Sequence, residues 1–559
     1  MNGAEALIRA LVASGVDVCF ANPGTSEMHF VAALDRVPEM RGVLTLFEGV
    51  ATGAADGYGR VAGRPATTLL HLGPGLGNGL ANLHNARKAQ TPLVNVVGDH
   101  ATYHKRFDAP LESDLPAIAR AVSGWFRTSS RADDVAADAA DAVAAAYGPP
   151  GRVATLVLPA DVSWSAARSG LPPAWAPMPR SGPTPTTLPP DGLPPDGLPP
   201  DGLPPGTVRP HLPSRIPPET VEQVAKALGA GQPAALLLGG PALRAPGLVA
   251  ARRVAERSGC GLLAETFPAN MARGGGLPAV ERLAYLGEAA QAQMKGLRHL
   301  VLAGARSPVS FFAYPGKPSD LVPEGCVVHV LATGADDVPC ALEDLAEELG
   351  GGGPAAATAG GKGAFLTAPP RPDRPTGGLS TQTLAAAVGC LLPEGVVVVD
   401  ESNTSGASLG PATAGAPRHD WLTLTGGAIG LGLPLATGAA VAAPDRRVLC
   451  LEADGSAMYT FQSLWTQARE GLDVTTVILS NHSYAILEFE LARVGAEPGG
   501  TRASAMLDLS RPDLDFVSIA RGLGVPASTA TDAGELADQL EGALATPGPS
   551  LIEAVLPGR

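Results

Sequence analysis

Asp454, Asn481 and Ser483 place oxygen donors at the ends of two consecutive apolar runs. The first, in "LCLEADGSAM" (Leu449 to Met458), stops abruptly at Asp454-Gly455-Ser456, and the second, "VTTVIL", stops at the polar cluster "SNHSY" (Ser480 to Tyr484). Asp454 and Asn481 are 27 positions apart, room for a helix and the next parallel strand. That crossover brings both to one edge of a sheet, beyond the carboxyl ends of its strands, where ligands of open parallel sheets sit. There a carboxylate, a side-chain amide and a backbone carbonyl near Ser483 could hold Mg²⁺, a hard cation that takes oxygen ligands. Ser456, as N-cap of the intervening helix, would present backbone N–H groups to a phosphate. A divalent metal beside phosphate-binding amides points to a diphosphate cofactor.

The elements that must position this edge recur along the chain. Short β-branched runs alternate with helical periodicity: "ATTLLHL" and "PLVNVV", then "AALLLGG" and "HLVLAG", then "GVVVVD", "RVLCLE" and "VTTVILSN". Strands apolar on both faces belong in parallel sheets covered by helices. Two Pro/Gly-rich stretches separate the groups. One, 169–216, contains the repeat "LPPDGLPPDGLPPDGLPPG" and the other is 350–378. Proline lacks a donor and fixes φ, so both read as exposed tethers. The expected architecture is α/β, with three doubly wound parallel-sheet domains at 1–168, 217–349 and 379–559.

The 559 residues are too many for one ordinary core, and 45% of them are hydrophobic, which excludes disorder as the main state. A formal charge of −14 without Lys/Arg runs argues against nucleic acid and acidic membrane surfaces as partners. Six scattered cysteines without C-x-x-C spacing read as reduced core residues of a cytoplasmic protein. The N-terminal segment has the spacing of an amphipathic helix (Ala4, Leu7, Ile8, Leu11, Val12) and lacks a basic region, so no signal peptide is expected, nor a membrane span.

A series of motifs in order makes the chain resemble the thiamine-diphosphate enzymes of the acetolactate synthase (large subunit) and benzoylformate decarboxylase type. Their GDG and NN elements appear as Ala453-Asp454-Gly455 and Ser480-Asn481. "NPGTSE" (Asn22 to Glu27), "FEGVATGAADGYGRVAG" (Phe47 to Gly63) and "LHLGPGLGNGLANLHNA" (Leu70 to Ala86) resemble the pyrimidine-binding domain. "GGAIGLGLP" (Gly426 to Pro434) resembles the stretch that props the thiazolium ring.

The resemblance implies roles residue by residue. Asp454, Asn481 and the carbonyl of Ser483 would ligate Mg²⁺. Asn403, Thr404, Gly427, Gly455, Ser456 and Tyr484 would join them around thiamine diphosphate, with Ile429 as the side chain that bends the cofactor. Glu48 would contact the aminopyrimidine, and its acid would favour the tautomer whose nitrogen removes the thiazolium C2 proton. His71 resembles the proton-moving histidine of benzoylformate decarboxylases, and its other reading is a hydrogen-bonded structural residue. Thr25 stands where those enzymes carry a catalytic serine. His100 and His104 fall in a loop that could line the pocket. "SPVSFFAYPG" (Ser307 to Gly316) carries phenylalanines where benzoylformate decarboxylases place a second catalytic histidine, a departure that argues against benzoylformate as the substrate.

The implied activity is decarboxylation or carboligation of a small 2-oxo acid by a homodimer or dimer of dimers. The alternatives are a 2-hydroxyacyl-CoA or oxalyl-CoA lyase of the same superfamily and a non-catalytic thiamine-diphosphate-binding scaffold. FAD, which acetolactate synthases bind in the middle domain, is left open, because nothing between Pro217 and Gly350 assigns it. A Rossmann nucleotide site at "GPGLGNG" is disfavoured, since no acid ends a strand about 20 positions later.

Overall fold

The computed structural model describes residues 1–167, 211–350, 369–495 and 500–557. The LPPDG repeat and residues 351–368 of the second stretch expected to be a tether lie outside the described residues.

Three parallel sheets carry the fold. The first contains β1 (Val18–Ala21), β2 (Arg41–Leu44), β3 (Ala66–Leu70), β4 (Leu93–Asp99), β5 (Trp125–Thr128) and β6 (Val153–Pro159), in the order β2-β1-β3-β4-β6-β5. The second contains β7 (Ala234–Leu238) and β8 (Gly261–Ala264), then β10 (Glu281–Arg282), β11 (His299–Ala303) and β12 (Val327–Ala332), in the order β10-β8-β7-β11-β12. The third contains β13 (Val397–Glu401), β14 (His419–Thr423), β15 (Val448–Ala453), β16 (Val474–Ser480), β17 (Ala527–Ala530) and β18 (Ser550–Val555). It gains one antiparallel strand, β9 (Met271–Arg273), from the segment between β8 and β10, giving β17-β18-β16-β15-β13-β14-β9.

The apolar runs singled out in the sequence form β3, β4, β7, β11, β13, β15 and β16. β3, β4, β7 and β16 are buried along their whole length, as expected for strands sandwiched between helices. The N-terminal helix, Gly3–Ala13, buries Ala4, Leu7, Ile8 and Leu11.

The first and third sheets meet through helices Glu48–Ala62 and Gly432–Ala442. Their backbones touch: a Cβ on Gly57 would lie 2.1 Å from the Leu435 carbonyl oxygen, and one on Gly438 would lie 1.8 Å from that of Ala54. Only glycine permits this approach. One apolar cluster continues across the contact, from Tyr58 and Leu83 to Leu433 and Leu435. Arg60 locks it. Its guanidinium pairs with Asp56 at 2.5 Å, both side chains being at most 1% exposed, and also donates to the Thr423 carbonyl (2.7 Å) and Thr425 Oγ1 (3.0 Å).

Candidate active site

In the third sheet the chain turns from β13 to β14 on one side and from β15 to β16 on the other, so a crevice forms beyond the carboxyl ends of β13 and β15. Asp454 follows β15 directly and is 3% exposed. β15 and β16 pair in parallel with Ala453 opposite Leu479, which sets Asn481 beside Asp454. The Asp454 carboxylate accepts N–H bonds from Gly455 (2.8 Å), Asn481 (3.0 Å) and His482 (2.7 Å). Burial pushes this carboxyl up, and the three N–H groups pull it back.

The polar neighbours of Asp454 are fixed in turn. Asn481 Oδ1 accepts the Ser483 N–H (3.0 Å), and its Nδ2 donates to Ser405 Oγ (3.1 Å). Asn403 Nδ2 donates to Ser456 Oγ (3.0 Å). Asn403 (φ +49°) and His482 (φ +57°) hold left-handed backbone conformations, which are uncommon off glycine and cluster at ligand sites. Thr404 is half-buried in the same turn, and Tyr484 caps Gly455, where a Cβ would lie 2.4 Å from its ring. Asp454, Asn481 and the Ser483 carbonyl form an oxygen-only donor set, which suits Mg²⁺ completed by phosphate and water.

Beneath the Gly426–Leu431 loop lies a carboxyl that sequence reasoning missed. Glu401, 2% exposed at the end of β13, accepts the N–H groups of Gly430 (2.7 Å), Leu431 (2.8 Å) and Gly432. Burial pushes it up to about 7, against those donors. Glu452, opposite Glu401 in the β13/β15 pairing, is fully buried, and burial and the Glu401 charge hold it well above the usual range. Glu401 thereby seats the turn that carries Gly427 and Ile429. On its outer side this turn is tied to helix Leu72–Ala89, where Asn85 donates to Ala428 O (2.8 Å) and Asn82 reaches Gly430 O (3.3 Å).

The N-terminal domain contributes a second polar cluster. Glu48 opens helix Glu48–Ala62 and is 6% exposed. Its Oε2 accepts from Asn78 Nδ2 at 2.9 Å, while Oε1 has no hydrogen-bond partner among the described residues. Asn82 Nδ2 also donates to Gly49 O (2.8 Å), tying the start of this helix to the Ile429 turn.

His71 lies between β3 and helix Leu72–Ala89, with Leu72 at φ +47°. Its Nδ1 is 2.8 Å from Glu27 Oε2 and 3.1 Å from Ser26 Oγ. A Cβ on Gly24 would overlap the His71 ring at 2.2 Å, so the glycine of "NPG" makes room for the imidazole. Thr25 is exposed, and the hydroxyl beside His71 is that of Ser26. Glu27 and Ser26 belong to the "NPGTSE" motif, but their contact with His71 spans 44 and 45 positions and has no local signature. His100 and His104 pack on each other at 5.4 Å, and their hydrogen bonds reach neither Glu48 nor His71.

In the middle sheet the order reverses between β7 and β11, where a nucleotide would bind. A Cβ on Gly304 would lie 2.3 Å from the Gly239 oxygen, and the Gly240 N–H, which would face a phosphate, is taken by Glu265 Oε1 at 3.0 Å. No helix among the described residues is long and apolar enough to cross a membrane.

Residues 1–118 match the family model "Thiamine pyrophosphate enzyme, N-terminal TPP binding domain", and residues 409–554 match its C-terminal TPP binding domain. A Mycobacterium tuberculosis protein named "Putative acetolactate synthase large subunit IlvX" is 58% identical over 100% of this chain and 99% of its own. The benzoylformate decarboxylase of Pseudomonas aeruginosa is 28% identical over 96% of both chains. The solved 4-hydroxybenzoylformate decarboxylase of Rhodococcus jostii RHA1 superposes with a TM-score of 0.81 at 24% identity over the full length of both, a likeness of fold. On the two matched cofactor-binding domains and the full-length relative, this chain belongs to the thiamine pyrophosphate enzyme family.

Proposed function

We propose that the protein is a thiamine-diphosphate- and Mg²⁺-dependent decarboxylase or carboligase acting on a 2-oxo acid. The observation that carries this reading is Glu48, a carboxylic acid buried at a helix start with one oxygen fixed by Asn78 and the other without a hydrogen-bond partner among the described residues. A protein that only bound the cofactor would need the metal and diphosphate ligands, but not this acid. Bound here, thiamine diphosphate would supply an acidic ring C–H and a sink for the electrons left when a 2-oxo acid loses CO₂.

The chain's own residues divide the remaining work. Asp454, Asn481 and the Ser483 carbonyl hold Mg²⁺, while Asn403, Thr404 and Ser456 face the diphosphate. Glu401 fixes the turn from which Ile429 supports the cofactor, and Glu48 hydrogen-bonds the aminopyrimidine. Glu27 holds His71 by Nδ1, leaving Nε2 to give and take protons at the substrate oxygen. Glu48 belongs to the N-terminal domain and the metal ligands to the C-terminal one, and on the resemblance to the family we assign each site to two subunits of a homodimer.

The test is CO₂ release from a panel of 2-oxo acids, with and without added thiamine diphosphate and Mg²⁺. Release that depends on both supports the reading. Full cofactor occupancy with no release from any member, and no carboligation product, contradicts it.

A further inference from the structure

Helix Ala485–Arg493 starts two residues after Ser483 and carries the metal-ligand turn on its N-terminal end. Of its nine residues only Ala485 is buried. A helix this short, with so little apolar contact, does not hold its place by packing, so its position rests on polar contacts at its two ends. At the first end the turn pairs with the chain at 507–509: the Tyr484 N–H donates to Leu507 O and the Leu509 N–H to His482 O, both at 2.9 Å. Ser483 Oγ adds a bond to Glu488 Oε1 at 2.7 Å.

The second end is held by the middle domain. Tyr314 donates its O–H to Glu490 Oε2 at 2.5 Å. Arg493, with its side chain 16% exposed, lies over the Tyr314 ring at 4.3 Å, and its Nη2 donates to both oxygens of Glu288 (3.0 and 3.2 Å). Lys317 donates to the same carboxylate at 2.6 Å. An arginine held between an aromatic face and a carboxylate keeps one geometry, which a lone surface ion pair does not. The segment that supplies Tyr314 and Lys317 also supplies Phe311, whose ring abuts Gly427: a Cβ there would lie 2.8 Å from Phe311 Cζ. Residues 311–317 therefore touch both arms of the candidate site, the Ile429 turn through Phe311 and the metal-ligand helix through Tyr314.

Resting on the reading of Asp454, Asn481 and Ser483 as the Mg²⁺ site, we propose that Glu288 and Tyr314 are positioning residues. With segment 311–317 they clamp the C-terminal end of the metal-ligand helix, so that docking of this segment and binding of Mg²⁺ with thiamine diphosphate favour each other. The coupling is reciprocal: a clamp that stiffens the turn for the metal is itself tightened when the metal binds.

The experiment uses the full chain as wild type, Tyr314→Phe, Glu288→Ala and the double variant. Both residues belong to the middle domain and touch no proposed metal or diphosphate ligand, and the Glu288 side chain is 44% exposed, so the variants should fold and melt near wild type without cofactor. Thiamine diphosphate binding is followed by calorimetry at a series of Mg²⁺ concentrations. The double variant should need roughly tenfold more Mg²⁺ for half-maximal binding, the weight of one charged hydrogen bond, and saturating Mg²⁺ should restore the wild-type affinity. In hydrogen exchange, residues 307–321 of wild type should gain protection when Mg²⁺ and thiamine diphosphate are added, and those of the double variant should not. A merely structural contact would move the melting temperature and leave both readouts alone. If the double variant does not fold, Tyr314→Phe, which loses a single oxygen, carries the same comparison. An unchanged Mg²⁺ midpoint, or exchange at 307–321 of wild type that is indifferent to the cofactor, overturns the clamp and leaves the cofactor reading standing. Wild type that binds no thiamine diphosphate at any Mg²⁺ concentration contradicts the cofactor reading itself, and the coupling falls with it.

Discussion

Glu27 Oε2 lies 2.8 Å from His71 Nδ1, and the Glu27 side chain is 1% exposed against 20% for the histidine. A buried carboxylate on Nδ1 fixes the tautomer and ring orientation, and presents Nε2 to the open side. Glu27 is itself anchored by the Gly24 N–H (2.9 Å) and Ser26 Oγ (2.5 Å), so the "NPG" turn, its acid and the histidine form one unit.

His71→Ala should therefore lower kcat by about 10²–10⁴-fold, the weight of a positioned acid–base group. Glu27→Gln keeps a hydrogen bond but loses the charge, and should lower kcat less. Neither should change the dissociation constant of thiamine diphosphate by calorimetry. Unchanged kcat in His71→Ala would leave that residue structural.

Shared sites make a different kind of prediction. Asp454→Ala removes a metal ligand and should abolish tight cofactor binding, and Glu48→Gln should leave it largely intact. Co-expressed as differently tagged chains, these two inactive variants should regain activity, because a mixed dimer has one site with both wild-type residues. Random pairing gives roughly a quarter of wild-type activity. An inactive purified heterodimer would place Glu48 and Asp454 of one chain in the same site.

Stability should depend on Arg60 far more than on Arg64. Removing Arg60 leaves Asp56 as an uncompensated buried charge, a loss of roughly 3–5 kcal/mol. The Arg64–Asp17 pair is 38% and 44% exposed, and such pairs are worth about 0–1 kcal/mol. Thermal melts of Arg60→Ala and Arg64→Ala should differ accordingly, and equal melting temperatures would contradict the locking role.

The seat of the Ile429 turn titrates. Burial raises Glu401 from the ordinary 4.5 to about 7, so its contribution to stability is present below the unfolded value and is lost as pH rises through about 7. Glu401→Gln has one acceptor oxygen for three N–H groups and should be less stable than wild type. The gap should narrow between about pH 4.5 and pH 7, by about 3 kcal/mol at most. Urea midpoints measure it, and a constant gap would show that Glu401 does not titrate there.

Legibility from sequence followed the range of the interaction. β13, β15 and β16 are continuous apolar runs, and the Asp454–Asn481 juxtaposition follows from one crossover, so both were readable. Glu401 looks like any acid ending a strand until the Gly430–Gly432 amides fold back on it from 29 to 31 positions away. β9 is three residues long, too short for a pattern, and crosses into another domain's sheet. Thr25 stands exposed at the "NPG" turn while the Ser26 hydroxyl meets His71, a one-residue difference that the motif alone does not resolve.

The most direct test of the account is proton exchange at C2 of bound thiamine diphosphate, followed by NMR after transfer into D₂O. Cofactor occupancy in wild type and Glu48→Gln is first matched by calorimetry. The account predicts that both bind and that exchange in the variant is slower by about 100-fold or more, the scale of a lost acid–base contribution. Equal exchange rates at equal occupancy would contradict it, leaving Glu48 without an activating role and the protein a binder of thiamine diphosphate.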